Sequence, residues 1–349
     1  MRSKIAGIGH YVPETVVTND DLSKLMDTSD AWIQERTGIK ERRHVKKYAD
    51  ETTTILGAKA ARIAIERAGI DKSEIDFIVF ATLSPDYYFP GCGVLLQREL
   101  GLGTIGALDV RNQCSGFLYA LSVADQFIKT GMYKNILVVG SEIQSAGLDY
   151  SDKGRNVTVI FGDGAGAVVL QPTQDPEQGI LTTHLHSDGA YAEKLAYFNP
   201  GTHMGVYTKN DSYFDKEDPN ASVFFTQEMF NQREYFPIME GQTVFKHAVT
   251  RFPEVIGEAL QATNLQTTDI DLFIPHQANL RISQFVQARL GLPDEKVFNN
   301  IQKYGNTTAA SIPLALSEAW EAGKVKKGDL ICLAAFGSGF TWASALIRW

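Results

Sequence analysis

The chain repeats itself. Ile70-Asp71-Lys72-Ser73-Glu74-Ile75-Asp76-Phe77-Ile78 is echoed 195 residues later by Leu265-Gln266-Thr267-Thr268-Asp269-Ile270-Asp271-Leu272-Phe273. In each copy the echo follows a helical stretch that stops at a residue tolerant of left-handed backbone, Gly69 or Asn264. A second echo sets Phe161-Gly162-Asp163-Gly164 against Phe336-Gly337-Ser338-Gly339, 175 residues on. An apolar strand follows both, Ala165 to Leu170 and Thr341 to Ile347. Two echoes in the same order predict duplicated halves, 1–175 and 176–349, that differ by an indel of about 20 residues. A length of 349 residues holds two such units.

The units are mixed α/β. Asp76–Thr82, Asn135–Gly140, Asp271–Ile274 and Asp329–Ala334 are apolar on both faces, which predicts sheets covered on both sides. Ala58 to Ala68 carries helical spacing and ends at Gly69. Residues 195–240 break the pattern with Tyr197, Phe198, Tyr207, Tyr213, Phe214, Phe224, Phe225, Phe230, Tyr235 and Phe236. So aromatic a segment is not a flexible linker. It is expected to be an ordered insertion packed on the body or on a second subunit.

With 44% hydrophobic and 21% charged residues, the chain is neither disordered, coiled coil nor collagen-like. No run approaches the roughly 18 apolar residues of a membrane span. Met1 to Gly9 reads as a strand and glycine turn, without the apolar core of a signal peptide. A net charge of −8 and the lack of a long basic run argue against nucleic-acid binding. An acidic partner would need a local basic patch. The three cysteines, Cys92, Cys114 and Cys332, are too few and wrongly spaced for a disulfide framework or zinc, which suggests a reducing cytoplasm.

Cys114 is the cysteine placed to react. It follows a strand that ends near Asp109 and precedes a helix through Phe117, Leu118 and Leu121. A helix N-terminus favours the thiolate and is expected to lower its pKa. Ser115 and Gly116 leave room for a substrate. Cys332, mid-strand, reads as core, and Cys92 between Gly91 and Gly93 reads as structural. A nucleophilic cysteine needs partners. His276, in Pro275-His276-Gln277-Ala278-Asn279, ends an apolar strand, where α/β sheets bind ligands. Asn306, in Tyr304-Gly305-Asn306-Thr307-Thr308-Ala309-Ala310-Ser311, sits in a glycine turn before another helix and can donate to a carbonyl. Phe336-Gly337-Ser338-Gly339-Phe340 offers a bare backbone turn for an oxyanion.

Asn112-Gln113-Cys114-Ser115-Gly116-Phe117 and the three later motifs resemble the signatures of β-ketoacyl-acyl-carrier-protein synthase III, the initiating condensing enzymes of bacterial fatty-acid synthesis. Thr28 to Ile33, Arg36 to Ile39 and Phe161 to Ala167 extend the resemblance, which covers the chain except 195–240. It implies the thiolase fold, a five-layered α-β-α-β-α sandwich of two similar halves. It implies acylation of Cys114 by an acyl-CoA, then decarboxylation of malonyl-acyl carrier protein under His276 and Asn306. The oxyanion hole would be the backbone N–H groups of Cys114 and Ser338, where many relatives carry glycine at the second position. Trp32, Arg36 and Arg155 would meet the CoA nucleotide, with Lys153 a rival for Arg155. Asn279 would contact pantetheine, and Gly241 and Phe336 the substrate. Phe89 would close the acyl pocket across a homodimer interface. Lys246 and Arg281 would meet the carrier protein. CoA is substrate here, and no cofactor or metal is implied.

Other readings fit less well. A biosynthetic thiolase would need cysteine where Phe336 stands and histidine where Asn306 stands. A plant-type polyketide synthase or hydroxymethylglutaryl-CoA synthase matches the Trp32, Arg36 and Asn306 motifs less closely. A secondary-metabolite relative shares the triad and stays open. A cysteine peptidase lacks its local signature. Gly162-Asp163-Gly164-Ala165-Gly166-Ala167 leads into a strand, which contradicts a dinucleotide fingerprint. His184 and His186 with Asp188 lack further metal ligands.

Overall fold

The computed structural model describes residues 2–46, 50–201 and 227–349. The first sheet contains β1 (Arg2–Tyr11), β2 (Phe77–Ala81), β3 (Gly106–Val110), β4 (Ile136–Glu142) and β5 (Gly164–Thr173), in spatial order β1-β5-β4-β2-β3. The second contains β6 (Gly179–Ser187), β7 (Leu272–Pro275), β8 (Leu330–Gly337) and β9 (Thr341–Arg348), in order β6-β9-β8-β7. The orders superpose strand for strand. Only β3 lacks a full counterpart; its trace is the single parallel bridge between Phe273 and Val297.

Alternation on the strands builds the layers. Ile78 and Phe80 of β2 point outward, against α1 (Thr53–Ala68) and α2 (Cys92–Leu100). Val79 and Ala81 point inward, onto α3 (Gly116–Lys129). On the other sheet, Leu330 and Cys332 face α4 (Gly241–Thr263) and α5 (Leu280–Leu290). Ile331 and Leu333 face the middle layer, where α6 (Ser311–Glu321) joins α3. This is the α-β-α-β-α sandwich that the resemblance implied.

The first echo has a common geometry. Gly69 and Asn264 end α1 and α4 in left-handed backbone, at φ 68° and 55°. A short 3-10 turn follows each, closed by reciprocal caps between Asp71 and Glu74 and between Gln266 and Asp269, and leads into β2 or β7. The second echo differs. Residues 143–163 separate β4 from β5, whereas only 338–340 separate β8 from β9. The indel lies there. Phe336 and Gly337 therefore end a strand, while Phe161 and Gly162 lie in a long excursion.

Of the aromatic insertion, Tyr207, Tyr213, Phe214, Phe224 and Phe225 lie outside the described residues. The described ends pack on the body. Leu195–Ala196 pairs with Ile238–Met239, and Arg233 forms an ion pair with Asp149.

Candidate active site

Cys114, His276 and Asn306 sit beyond the ends of β3 and β7 and just before α6. Cys114 occupies the 3-10 turn Gln113–Ser115 that leads into α3, and it is only 7% exposed. Gln113 holds left-handed backbone at φ 42°. The hydroxyl of Ser115 donates to Thr341 O at 3.1 Å, tying this turn to the β8–β9 turn. Gly337 lies against the nucleophile. A Cβ there would stand 2.5 Å from Cys114 Cβ and 3.0 Å from Sγ.

The thiol differs from the sequence expectation. Burial pushes its pKa up to about 12, and the nearby Glu142 carboxylate adds to the rise. The backbone N–H groups of Cys114 and Ser338 hydrogen-bond the sulfur and draw the other way, but burial wins. The N–H pair is nonetheless the one named for the oxyanion hole. Ser338 is held in turn by its hydroxyl, which donates to Leu195 O.

His276 is 3% exposed, and its backbone N–H donates to Ala334 O of β8 at 2.8 Å. Nδ1 lies 2.6 Å from Ser311 Oγ, while Nε2 is buried without a partner among the described residues. Burial lowers the ring pKa to about 3, so the imidazole is neutral at physiological pH. Asn306 is clamped by the other half. Its N–H donates to Ile160 O at 2.9 Å, and Gly162 N–H donates to Asn306 O at 3.1 Å. Asn306 Oδ1 accepts from Thr308 N at 2.8 Å, which leaves the NH2 end to donate. This clamp explains why Phe161-Gly162-Asp163 recurs beside the site. It is structural, and Gly164 to Ala167 already belong to β5.

Around these residues the predicted binding groups divide. Trp32, on the helix Asp30–Thr37, has the Arg36 and Arg155 guanidinium carbons 4.5 and 5.4 Å from its ring centroid. Lys153 instead lines a cleft with Asp149, Arg233 and Met239. Asn279 caps α5 through Arg281 N and donates to Arg36 O at 2.9 Å, joining that helix to the site. Gly241 is the first residue of α4. Phe336 is buried and packs 4.9 Å from the Phe340 ring. Lys246 and Arg281 are exposed on adjoining helices, and Arg281 lies over Phe245. Phe89 is 81% exposed, so a single chain does not bring it to the triad. Cys92 and Cys332 are buried free thiols. His184 and His186 both face Glu258, at 3.7 and 2.6 Å. Among the described residues no cluster of three or more His, Cys, Asp or Glu could hold a metal, and no helix could cross a membrane.

Glu142 was missed from sequence. It is fully buried and accepts from Ser84 Oγ at 2.6 Å, Thr82 Oγ1 at 3.0 Å and Leu83 N at 3.2 Å. Burial raises its pKa to about 7. Its only signal was a carboxylate just past the apolar run Ile136 to Gly140.

A buried cysteine at a helix start, a neutral histidine and a clamped asparagine on a doubled sandwich define a thiol-dependent condensing enzyme. Comparison with known proteins narrows the class. Residues 108–189 match the family described as 3-oxoacyl-[acyl-carrier-protein (ACP)] synthase III, and 260–349 match its C-terminal part. A β-ketoacyl-[acyl-carrier-protein] synthase III of Xanthomonas campestris pv. campestris is 46% identical over 99% of this chain and 98% of its own length. The crystal structure of 3-oxoacyl-[acyl-carrier-protein] synthase III from Aquifex aeolicus VF5 superposes with a TM-score of 0.86 at 42% identity, covering 99% of this chain and 100% of that one. The priming β-ketosynthase of the R1128 polyketide pathway has a TM-score of 0.84 at 33% identity, covering 99% and 96%. The chain belongs to the β-ketoacyl-acyl-carrier-protein synthase III family, the acyltransferase-type condensing enzymes that initiate fatty-acid synthesis.

Proposed function

We propose that the chain joins an acyl-CoA starter to malonyl-acyl carrier protein through an acyl-Cys114 intermediate. Its single strongest support is the convergence on one sulfur of the Cys114 and Ser338 N–H groups. In the first half-reaction Cys114 Sγ attacks the thioester carbonyl, the two N–H groups receive the developing oxyanion, and the C–S bond to CoA breaks. Burial favours the neutral thiol, so Cys114 gives up its proton on acylation and the departing CoA sulfur takes one up.

In the second half-reaction His276 Nε2 and Asn306 Nδ2 hydrogen-bond the malonyl thioester oxygen. Loss of CO2 leaves the electron pair as an enolate that these donors stabilise in a dry site. Its carbon attacks the acyl-cysteine, and Cys114 leaves. A neutral histidine suits a donor that must not add charge to the resting site.

Trp32, Arg36 and Arg155 would hold the CoA nucleotide, and Asn279 would contact pantetheine. Lys246 and Arg281 form the local basic patch that an acidic enzyme needs to receive an acidic carrier. A homodimer would cover Phe89. The edge of β3, unpaired among the described residues and with Leu108 exposed, and the exposed Tyr87, Tyr88 and Phe89 form a surface suited to a second copy. Identities of 46% and 42% to the Xanthomonas and Aquifex synthases III, against 33% to the polyketide-priming enzyme, favour the first role.

The test separates the half-reactions. Cys114→Ala should abolish covalent acylation by acyl-CoA. His276→Ala should keep acylation and lose condensation. A Cys114→Ala chain that still forms an acyl-enzyme would overturn the assignment.

A further inference from the structure

We propose that Ser311 is a positioning residue for condensation: its hydroxyl donates to His276 Nδ1 and so commits the imidazole proton to Nε2, the nitrogen that meets the malonyl thioester. This rests on the assignment of His276 to the second half-reaction.

Ser311 Oγ lies 2.6 Å from Nδ1, with both side chains buried. The same oxygen receives the backbone N–H of Gln277 at 3.4 Å. An amide N–H can only donate, so the imidazole is the partner left to take the hydroxyl hydrogen. A neutral ring carries one proton. If Nδ1 accepts, that proton is on Nε2, which is buried without a hydrogen-bond partner among the described residues. An N–H left unsatisfied in the core is costly, and a thioester oxygen would satisfy it. The bond also fixes the ring plane, since a flipped ring would place a carbon against Ser311.

The duplication shows why the hydroxyl is available. Ser311 begins α6, and 195 residues earlier Gly116 begins α3. The first half leaves this position bare beside Cys114. The second half places a side chain there that reaches His276, 35 residues away in sequence.

The test compares Ser311→Ala with Ser311→Thr, which keeps a hydroxyl. Acylation of Cys114 by acyl-CoA should stay within twofold of the unaltered enzyme in both, which also certifies the fold. Condensation with malonyl-acyl carrier protein should fall at least tenfold in Ser311→Ala and recover in Ser311→Thr. Nitrogen NMR of the histidine-labelled unaltered enzyme should show His276 protonated on Nε2, with Ser311→Ala shifted toward exchange between both nitrogens. A proton found on Nδ1 in the unaltered enzyme overturns the proposal, whatever the variants do. Equal loss of both half-reactions in Ser311→Ala, or no loss of condensation, also overturns it. If His276→Ala still condenses, the reading of the site fails and this inference with it.

Discussion

Gln113 and Thr308 stand 195 residues apart and hold the same left-handed backbone, at φ 42° and 49°. One precedes Cys114, and the other follows Asn306 by two residues. Each opens the 3-10 turn that delivers a central helix, Gln113–Ser115 before α3 and Thr308–Ala310 before α6. Such backbone costs a non-glycine residue roughly 1–3 kcal/mol, so the surrounding packing holds it in place. Gln113→Gly should therefore raise the denaturant midpoint, by about 1 kcal/mol of stability, and Gln113→Val should lower it by a similar amount or more. Equal midpoints for the two variants would count against strain at this turn.

Gly337→Ala should block acylation while sparing the fold. The new methyl would meet Cys114 Cβ at 2.5 Å, and both atoms belong to rigid elements. Single-turnover labelling with acyl-CoA should fall by roughly a hundredfold or more, since small displacements of a nucleophile are costly. Far-UV circular dichroism should be unchanged. Unaltered labelling would mean that the β8–β9 turn is not the wall of the site.

Glu142 should make the enzyme less stable as pH rises from 4.5 to about 7. Its folded pKa is raised from 4.5 to about 7, so in that window the folded state holds a proton that the unfolded chain has lost. The loss across the window is about 3 kcal/mol at 1.36 kcal/mol per unit. His276 acts in the opposite sense between about 3 and 6.5, where the unfolded chain binds the proton. Comparing Glu142→Gln with the unaltered enzyme isolates the carboxyl. The variant's stability should fall less steeply toward pH 7, and parallel pH profiles from urea unfolding would refute this.

Arg155→Ala should raise the KM for acyl-CoA about tenfold, and Lys153→Ala should leave it within twofold. The Arg155 guanidinium lies over Trp32, a partly exposed cation–π contact worth about 0.5–1 kcal/mol, to which charge-assisted bonds to the nucleotide would add. The reverse order in steady-state kinetics would hand the nucleotide to Lys153.

Phe89→Asp should reduce the proposed homodimer to monomers in sedimentation analysis. Activity should fall with it, because the acyl pocket would lose its far wall. A variant that stays dimeric and fully active would remove Phe89 from the interface.

Much of this protein was legible in the order of its residues. The echo that follows Gly69 and Asn264 announced two halves, because the need for left-handed backbone is a local property written in side-chain type. Apolar runs such as Ile136 to Gly140 announced buried sheets for the same reason. Cys114, His276 and Asn306 stood in motifs that resemble one family, and the comparisons place the chain there. What sequence could not decide were properties set by neighbours distant along the chain. A helix N-terminus promised a low thiol pKa, but burial between two sheets pushes Cys114 to about 12. Spacing put Arg155 at the nucleotide with Lys153 as a rival, and the Arg155 guanidinium stacks on Trp32 while Lys153 lines another cleft. Ser311 closed a recognised motif without a role until folding set it against His276. Glu142 carries no mark of its own in the sequence, yet it is a fully buried carboxyl whose charge is felt at the nucleophile. Local geometry follows from each residue and its immediate neighbours, whereas desolvation and hydrogen-bond partnership exist only once the two halves close on each other.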